Sequence, residues 1–263
     1  DDFGLAEMEN LTRTMHRPAK KGAVIRPDVS IGQYSIQMRT GPDWDEQKQA
    51  YTLWDCAGSP EDLEGVTGCY ESTDGLHWTK PVLTQVEFRG SRANNFTTVE
   101  IDGQRRRIDY VVHDPTDPDP SRRYKGWVAM HRPGGGYEPL KQPVVSDGFS
   151  WKVLDVPAIP SDIHDGNLSF DRRHHTFIGG LEVNGPFGRS WAVSCSSDFE
   201  RWSERELVFH ADERDQELGR EQIETRLSDP TKQQHGWVQP AAFNVNVYNM
   251  GIFRYESVYI GLP

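Results

Sequence analysis

Short apolar runs broken by turn residues organise this chain. Tyr51–Trp54 and Gly68–Ser72 form one pair, Ile108–Val112 and Tyr124–Met130 a second, and Thr176–Leu181 and Ser190–Cys195 a third. Each run is too short for a helix and rich in β-branched or aromatic residues, which predicts strands. A Trp-marked turn comes after each pair: Ser72-Thr73-Asp74-Gly75-Leu76-His77-Trp78, Ser146-Asp147-Gly148-Phe149-Ser150-Trp151 and Ser197-Asp198-Phe199-Glu200-Arg201-Trp202, the Asp always four residues before the Trp. Asp-Gly tolerates positive φ and suits a tight turn, and the Trp anchors the start of the next strand. Several strands and a hairpin tip recurring at intervals of about 50 to 75 residues predict the blades of a β-propeller rather than a β-sandwich. Phe243–Tyr248 and Ser257–Gly261 read as strands of a fourth, partial blade. The expectation is one all-β domain over residues 1–263 with about three and a half blades, either truncated or closed by its N-terminal segment.

Other segments depart from that rhythm. Leu5–Leu11 has a weak helical pattern, Thr116–Ser121 reads as a Pro/Asp loop, and the charged stretch from Glu204 to Gln234 reads as an exposed loop or short helix.

Composition narrows the partners. Lys and Arg number 29 against 40 Asp and Glu, a net charge of −11, which repels nucleic acid and anionic lipid. The mean hydropathy is −0.71, and no run approaches the roughly 18 apolar residues of a membrane helix. Cys56, Cys69 and Cys195 form no C-x-x-C pair, so free buried thiols are expected. His174 and His175 point to opposite faces of a strand and cannot share one ion. No metal site or cofactor is expected, although a structural Ca²⁺ on the axis needs only oxygen ligands and stays open. No G-x-S-x-G, P-loop or dinucleotide fingerprint occurs. The chain opens at Asp1-Asp2-Phe3 with no secretory signal, as a mature protein would, and a periplasmic or secreted location fits. Oligomeric state is not legible.

The segments Ser72–Pro81, Gly90–Asn95, Asp119–Lys125 and Tyr255–Leu262 resemble bacterial proteins similar to the N-terminal domain of glycoside hydrolase family 32. Those proteins belong with the five-bladed furanosidase-type propellers of families 32, 43 and 68. The resemblance implies a five-bladed propeller with three carboxyls in an axial funnel: an Asp nucleophile or base, an Asp that stabilises the transition state, and a Glu acid. Glycoside cleavage passes through an oxocarbenium-like state and needs one protonated and one ionised carboxyl.

Phe253-Arg254-Tyr255-Glu256-Ser257 resembles the family's acid-bearing segment, which makes Glu256 the candidate acid, with Arg254 and Tyr255 orienting it. His164-Asp165-Gly166-Asn167 resembles the Arg-Asp-Pro segment, with His164 replacing Arg and Gly166 replacing Pro. It makes Asp165 the candidate stabiliser, with His164 and Asn167 as substrate contacts; the bland reading is an Asx turn. The Trp-x-Asn-Asp-Pro segment is absent. Asn94 and Asn95 stand in its place and could bond sugar hydroxyls, while Asp43, Asp45 and Asp114, the last in His113-Asp114-Pro115, are replacement carboxyls, with Asp43 and Asp45 read more simply as part of a turn next to Trp44. Trp44, Trp54, Trp127 and Trp237 are candidate stacking platforms, though most should be core, whereas Trp78, Trp151 and Trp202 should be structural. The implied function is hydrolysis of a glycosidic bond in an oligo- or polysaccharide. The alternative is a non-catalytic carbohydrate-binding or interaction propeller, favoured if Glu256 and Asp165 do not share a cleft.

Overall fold

The computed structural model describes residues 14, 17–56, 65–131, 139–163, 165–232 and 243–263. Three antiparallel sheets succeed one another along the chain. The first contains β1 (Asp43–Asp45), β2 (Ala50–Asp55), β3 (Thr67–Ser72) and β4 (Phe96–Thr97). A hairpin of β5 (Val99–Ile101) and β6 (Gln104–Arg106) leads to the second sheet: β7 (Tyr110–His113), β8 (Tyr124–His131), β9 (Pro139–Ser146), β10 (Trp151–Val153) and β11 (Ile159–Pro160). The third contains β12 (Gly166–Asp171), β13 (Thr176–Gly185), β14 (Gly188–Ser196) and β15 (Glu206–Phe209). Helix α1 (Glu213–Ser228) and a two-stranded sheet of β16 (Gly251–Tyr255) and β17 (Val258–Leu262) complete the described chain.

Each sheet is a meander whose first strand lies at one edge, and these first strands stand side by side. The backbone N–H of His113 on β7 donates to Asp43 on β1 at 2.9 Å. A Cβ on Gly166 of β12 would lie 3.4 Å from the Tyr110 hydroxyl of β7, and the N–H of Ile252 on β16 donates to Asn167 on β12 at 3.1 Å. Sheets ranged around their first strands make the all-β propeller expected from the repeat, with three four- or five-stranded sheets and a further hairpin among the described residues.

Apolar cores fill the gaps between consecutive blades. Between the second and third, Val112, Trp127, Val145, Leu168, Phe177 and Leu181 pack together. Between the first and second, Trp54, Cys69, Val111, Val128 and Trp151 do so. Trp54 and Trp127 are therefore core, as most Trp residues were expected to be, and Trp237 lies outside the described residues.

The three Asp tips occupy equivalent positions. Ser72, Ser146 and Ser196 end the third strand of their sheets and pair with Tyr51, Tyr124 and Phe177 on the second. One oxygen of the tip Asp then accepts two consecutive backbone N–H groups: from Leu76 and His77 at 2.8 and 2.8 Å for Asp74, from Phe149 and Ser150 at 2.9 and 2.8 Å for Asp147, and from Glu200 and Arg201 at 2.9 and 2.8 Å for Asp198. The next residue has positive φ in each case: Gly75 at 73°, Gly148 at 90° and Phe199 at 65°. Gly148 has no room for a side chain, because a Cβ there would meet the Tyr124 ring at 2.6 Å. Phe199 accepts the left-handed conformation at a cost of about 1–2 kcal/mol and sends its ring into the core against Phe177 and Trp202, at 5.1 and 5.5 Å.

Two expectations differ from the structure. Phe243–Tyr248 is not a strand: its backbone is held by other partners, Val245 by the Gln216 side chain of α1 (2.7 and 3.2 Å) and Val247 by the Arg189 carbonyl (3.0 Å). Asp43–Asp45, expected as a turn, is the innermost strand β1. The charged stretch does form a short helix, started by a reciprocal cap between Asp212 and Asp215. Leu5–Leu11 lies outside the described residues. All three cysteines are free, with Cys56 and Cys69 buried.

Candidate functional site

The segments leading into the inner strands converge on a cleft of about 370 Å³. Arg39 comes from the approach to β1, Arg107 and Asp109 from the approach to β7, Ile163 and Asp165 from the approach to β12, and Tyr248 from the approach to β16; Arg189 reaches in from β14. Inner strands of a propeller run the same way, so their starts gather side chains from several blades at one place.

Every carboxylate here is matched to a guanidinium. Asp165 is ion-paired with Arg39. Asp109 meets Arg107 Nε at 2.7 Å and also accepts the Ala129 N–H at 3.0 Å. Beneath Arg189 lies Glu182 of β13, fully buried, with Oε1 at 3.0 Å from Arg189 and Oε2 accepting the Asp165 N–H at 3.3 Å. Burial raises the Glu182 pKa above the ordinary carboxyl value, and the Arg189 pair does not offset it. Lys141, also fully buried, stands 3.5 Å from the Tyr110 hydroxyl; burial lowers its pKa to about 8. Arg189 lies over the Tyr248 ring at 4.8 Å. A buried acid and a buried base with opposite shifts, set beneath one concavity, mark a functional-site candidate.

A larger, apolar groove of about 580 Å³ runs between β14–β15 and the β16–β17 hairpin, lined by Ile178, Val208, Met250 and Ile252 among others. It has no comparable set of paired charges.

Of the residues expected to act on substrate, Asp165 lines the cleft, at the start of the inner strand as its sequence segment implied. His164 lies outside the described residues. Glu256 is elsewhere. It occupies the exposed two-residue turn between Tyr255 and Val258, at φ 52°. A left-handed hairpin turn explains its position, and the solvent around it removes the desolvation that an acid catalyst needs. Tyr255 is exposed beside it, and Arg254 approaches Asp171 at 3.5 Å, tying the hairpin to β12. Asn167 uses its carbonyl on the Ile252 N–H and so joins β12 to β16.

Asp114 is likewise not at the cleft. It comes after β7 rather than before it, on the order of 13 Å along the strand from Tyr110 at about 3.3 Å per residue. There it pairs with buried Lys125 at 3.0 Å and accepts the Thr116 N–H at 3.0 Å. It belongs to a second repeat, not visible as a motif: Asp45, Asp114 and Asp171 each end an inner strand and cap the turn into the second strand, through Gln47, Thr116 and Arg173 N–H groups at 2.8, 3.0 and 2.9 Å. Burial alone would raise these three pKa values, but the hydrogen bonds outweigh it and hold all three below the ordinary range. Asn94 and Asn95 lie at the outer strand of the first blade, where their amides donate to the Val86 and Cys69 carbonyls, both at 2.8 Å. Neither amide is offered to a ligand.

Asp109, Glu182 and the three arginines are absent from the residues that the motifs single out. A signal for the two carboxyls was present: Asp109 interrupts Ile108–Val112, and Glu182 interrupts Gly179–Val183. A charge inside an apolar strand is costly unless it is paired or used. Among the described residues no group of three or more His, Cys, Asp or Glu side chains is placed to hold a metal ion.

No family model matches the chain, and no curated protein matches it. Similar solved structures do exist. One is an N-acetylgalactosamine deacetylase from F. plautii in complex with blood group B trisaccharide (14% identity, TM-score 0.41, covering 62% of this chain and 50% of that one). Another is a fructofuranosidase from Schwanniomyces occidentalis complexed with fructose (12%, 0.42, 68% and 35%). A third is the GH93 alpha-L-arabinofuranosidase of Fusarium graminearum with arabinobiose (13%, 0.40, 66% and 53%). The chain thus spans between 35% and 53% of the length of these proteins.

Proposed function

We propose that this chain is a carbohydrate-recognising propeller whose sugar site is the cleft between Arg39, Asp109, Asp165 and Arg189. One observation carries the reading: fixed donors and acceptors from several blades face one concavity, beside an exposed aromatic ring at Tyr248. Paired carboxylates and guanidiniums offer ordered acceptors and donors to hydroxyl groups, and a ring beside them suits the apolar face of a sugar. The likeness of its motifs to the propeller glycosidases of families 32, 43 and 68 supports the same ligand class.

Hydrolysis of a glycosidic bond is the second reading. Glu182 is fully buried and bonds the backbone of Asp165, and burial raises its pKa; cleavage requires two carboxyls whose surroundings set them different roles. Binding stands first because Glu182 is covered by its Arg189 pair and Glu256 is outside the cleft. Calorimetry of the purified chain against a panel of furanoside and pyranoside oligosaccharides tests both, with each bound glycan then incubated and assayed for new reducing ends. Binding without cleavage supports the first reading. Reducing ends that vanish in Glu182→Gln support the second. Silence in both assays overturns both.

A further inference from the structure

The cleft presents its charges unequally, and this bears on which sugars it holds. The side chains of Arg107 and Arg189 are each 39% exposed and Arg39 16%, whereas their partners Asp109, Asp165 and Glu182 are 6%, 6% and 0% exposed. The carboxylates lie underneath and the guanidiniums face the ligand. The three arginines line the cleft and the three carboxylates that balance them lie beneath, so the face turned to a ligand is cationic in a chain whose net charge is −11. Such a face in a concavity attracts anions over short range, while the acidic surface around it is screened beyond about 10 Å at ordinary salt.

The geometry points to a sugar that carries a carboxylate, that is, a uronate residue; this rests on the carbohydrate reading above. A guanidinium offers five N–H donors in a planar fork. Arg107 spends Nε on Asp109 at 2.7 Å and Nη1 on the Cys56 carbonyl at 3.2 Å, and Arg189 spends Nη1 on Glu182 at 3.0 Å. A planar carboxylate matches the rest of such a fork in bidentate fashion, whereas a neutral hydroxyl uses one donor at a time. Tyr248, exposed and backed by Arg189, supplies the face on which the ring carrying that carboxylate would lie.

The test compares a galacturonate trisaccharide with the neutral galactose trisaccharide of the same linkage, by calorimetry on the full chain. The uronate is expected to bind at least about tenfold more tightly, with the preference shrinking as salt rises from about 0.05 to about 0.5 M. Removing Arg189 alone would strand Glu182 as a buried charge, so the variant is the double substitution Arg189→Gln with Glu182→Gln, checked by its thermal midpoint. In this variant the preference should fall toward unity. Equal or tighter binding of the neutral trisaccharide overturns the uronate inference and leaves the carbohydrate reading standing. A preference untouched in the folded double variant overturns the role given to Arg189. No binding of either trisaccharide overturns the inference, and the carbohydrate reading then falls or stands on the wider glycan panel.

Discussion

The two ends of the inner strands carry buried carboxylates in opposite circumstances. At the turn end, Asp45, Asp114 and Asp171 repeat in register from blade to blade, cap backbone N–H groups, and are held ionised. At the cleft end, Asp109, Asp165 and Glu182 obey no repeat and are covered by arginines, and burial raises the pKa of Glu182 and lowers that of neighbouring Lys141. Repetition across blades marks a group that every blade needs in order to fold. A buried charge that breaks the repeat has to be explained by something the fold does not require.

The largest expected effect comes from breaking the turn end. Asp114→Ala leaves Lys125, 1% exposed, with less than its full compensation, and loss of one partner from a buried ion pair costs about 3–5 kcal/mol. Urea denaturation should show a loss in this range; a loss under about 1 kcal/mol would mean that the turn-end carboxylates are dispensable.

Next comes the cleft end, through pH. The ordinary Lys value is 10.5, and in the folded chain that of Lys141 is about 8. Between those pH values the unfolded chain binds more protons at this residue than the folded one. Its contribution to stability therefore rises with pH across that window, by about 3 kcal/mol at about 1.4 kcal/mol per pH unit. Buried Tyr and Cys groups titrate nearby with the opposite sign, so the quantity to measure is the difference between the parent and Lys141→Met across pH 8 to 10.5. A flat difference would remove Lys141 from the account.

Much of the fold was legible because the blade repeat is written in residue types. The spacing of Asp74, Asp147 and Asp198 from their Trp residues comes from a turn that needs an acceptor for two N–H groups and an anchor after it. The second repeat was not legible: Asp45, Asp114 and Asp171 share a register, but Trp, His and Phe precede them, and only pairing across strands aligns them. The candidate cleft was legible in part. Asp165, which lines it, was singled out because a strand start is a local feature. Asp109 and Glu182 were not singled out because their arginine partners arrive from other segments, and the segment around Glu256 does not reveal that its hairpin points into solvent.

Phe199 gives a smaller, sharper test of how far repetition binds the sequence. Phe199→Gly restores the residue type of the other two tips and relieves the positive φ, yet it empties a core position. With about 3–5 kcal/mol lost for removing a buried Phe ring and about 1–2 kcal/mol recovered from strain, the net loss should be about 2 kcal/mol. A variant more stable than the parent would show that the tip conformation, not the ring, decides this position. The smallest effect is expected from Glu256→Gln. As an exposed turn residue, it should change stability by less than about 0.5 kcal/mol and leave glycan binding intact; loss of binding would put Glu256 back in the site.

The most direct test places one isosteric change at each end of β7. Asp109→Asn and Asp114→Asn are compared for thermal midpoint and, by calorimetry, for affinity toward the tightest glycan of the panel. The account predicts that Asp109→Asn weakens binding at least about tenfold, roughly 1.4 kcal/mol, with a smaller drop in midpoint than Asp114→Asn, which lowers the midpoint while the folded fraction binds as the parent does. Loss of binding in Asp114→Asn together with parent-like binding in Asp109→Asn would contradict the assignment of function to the cleft end.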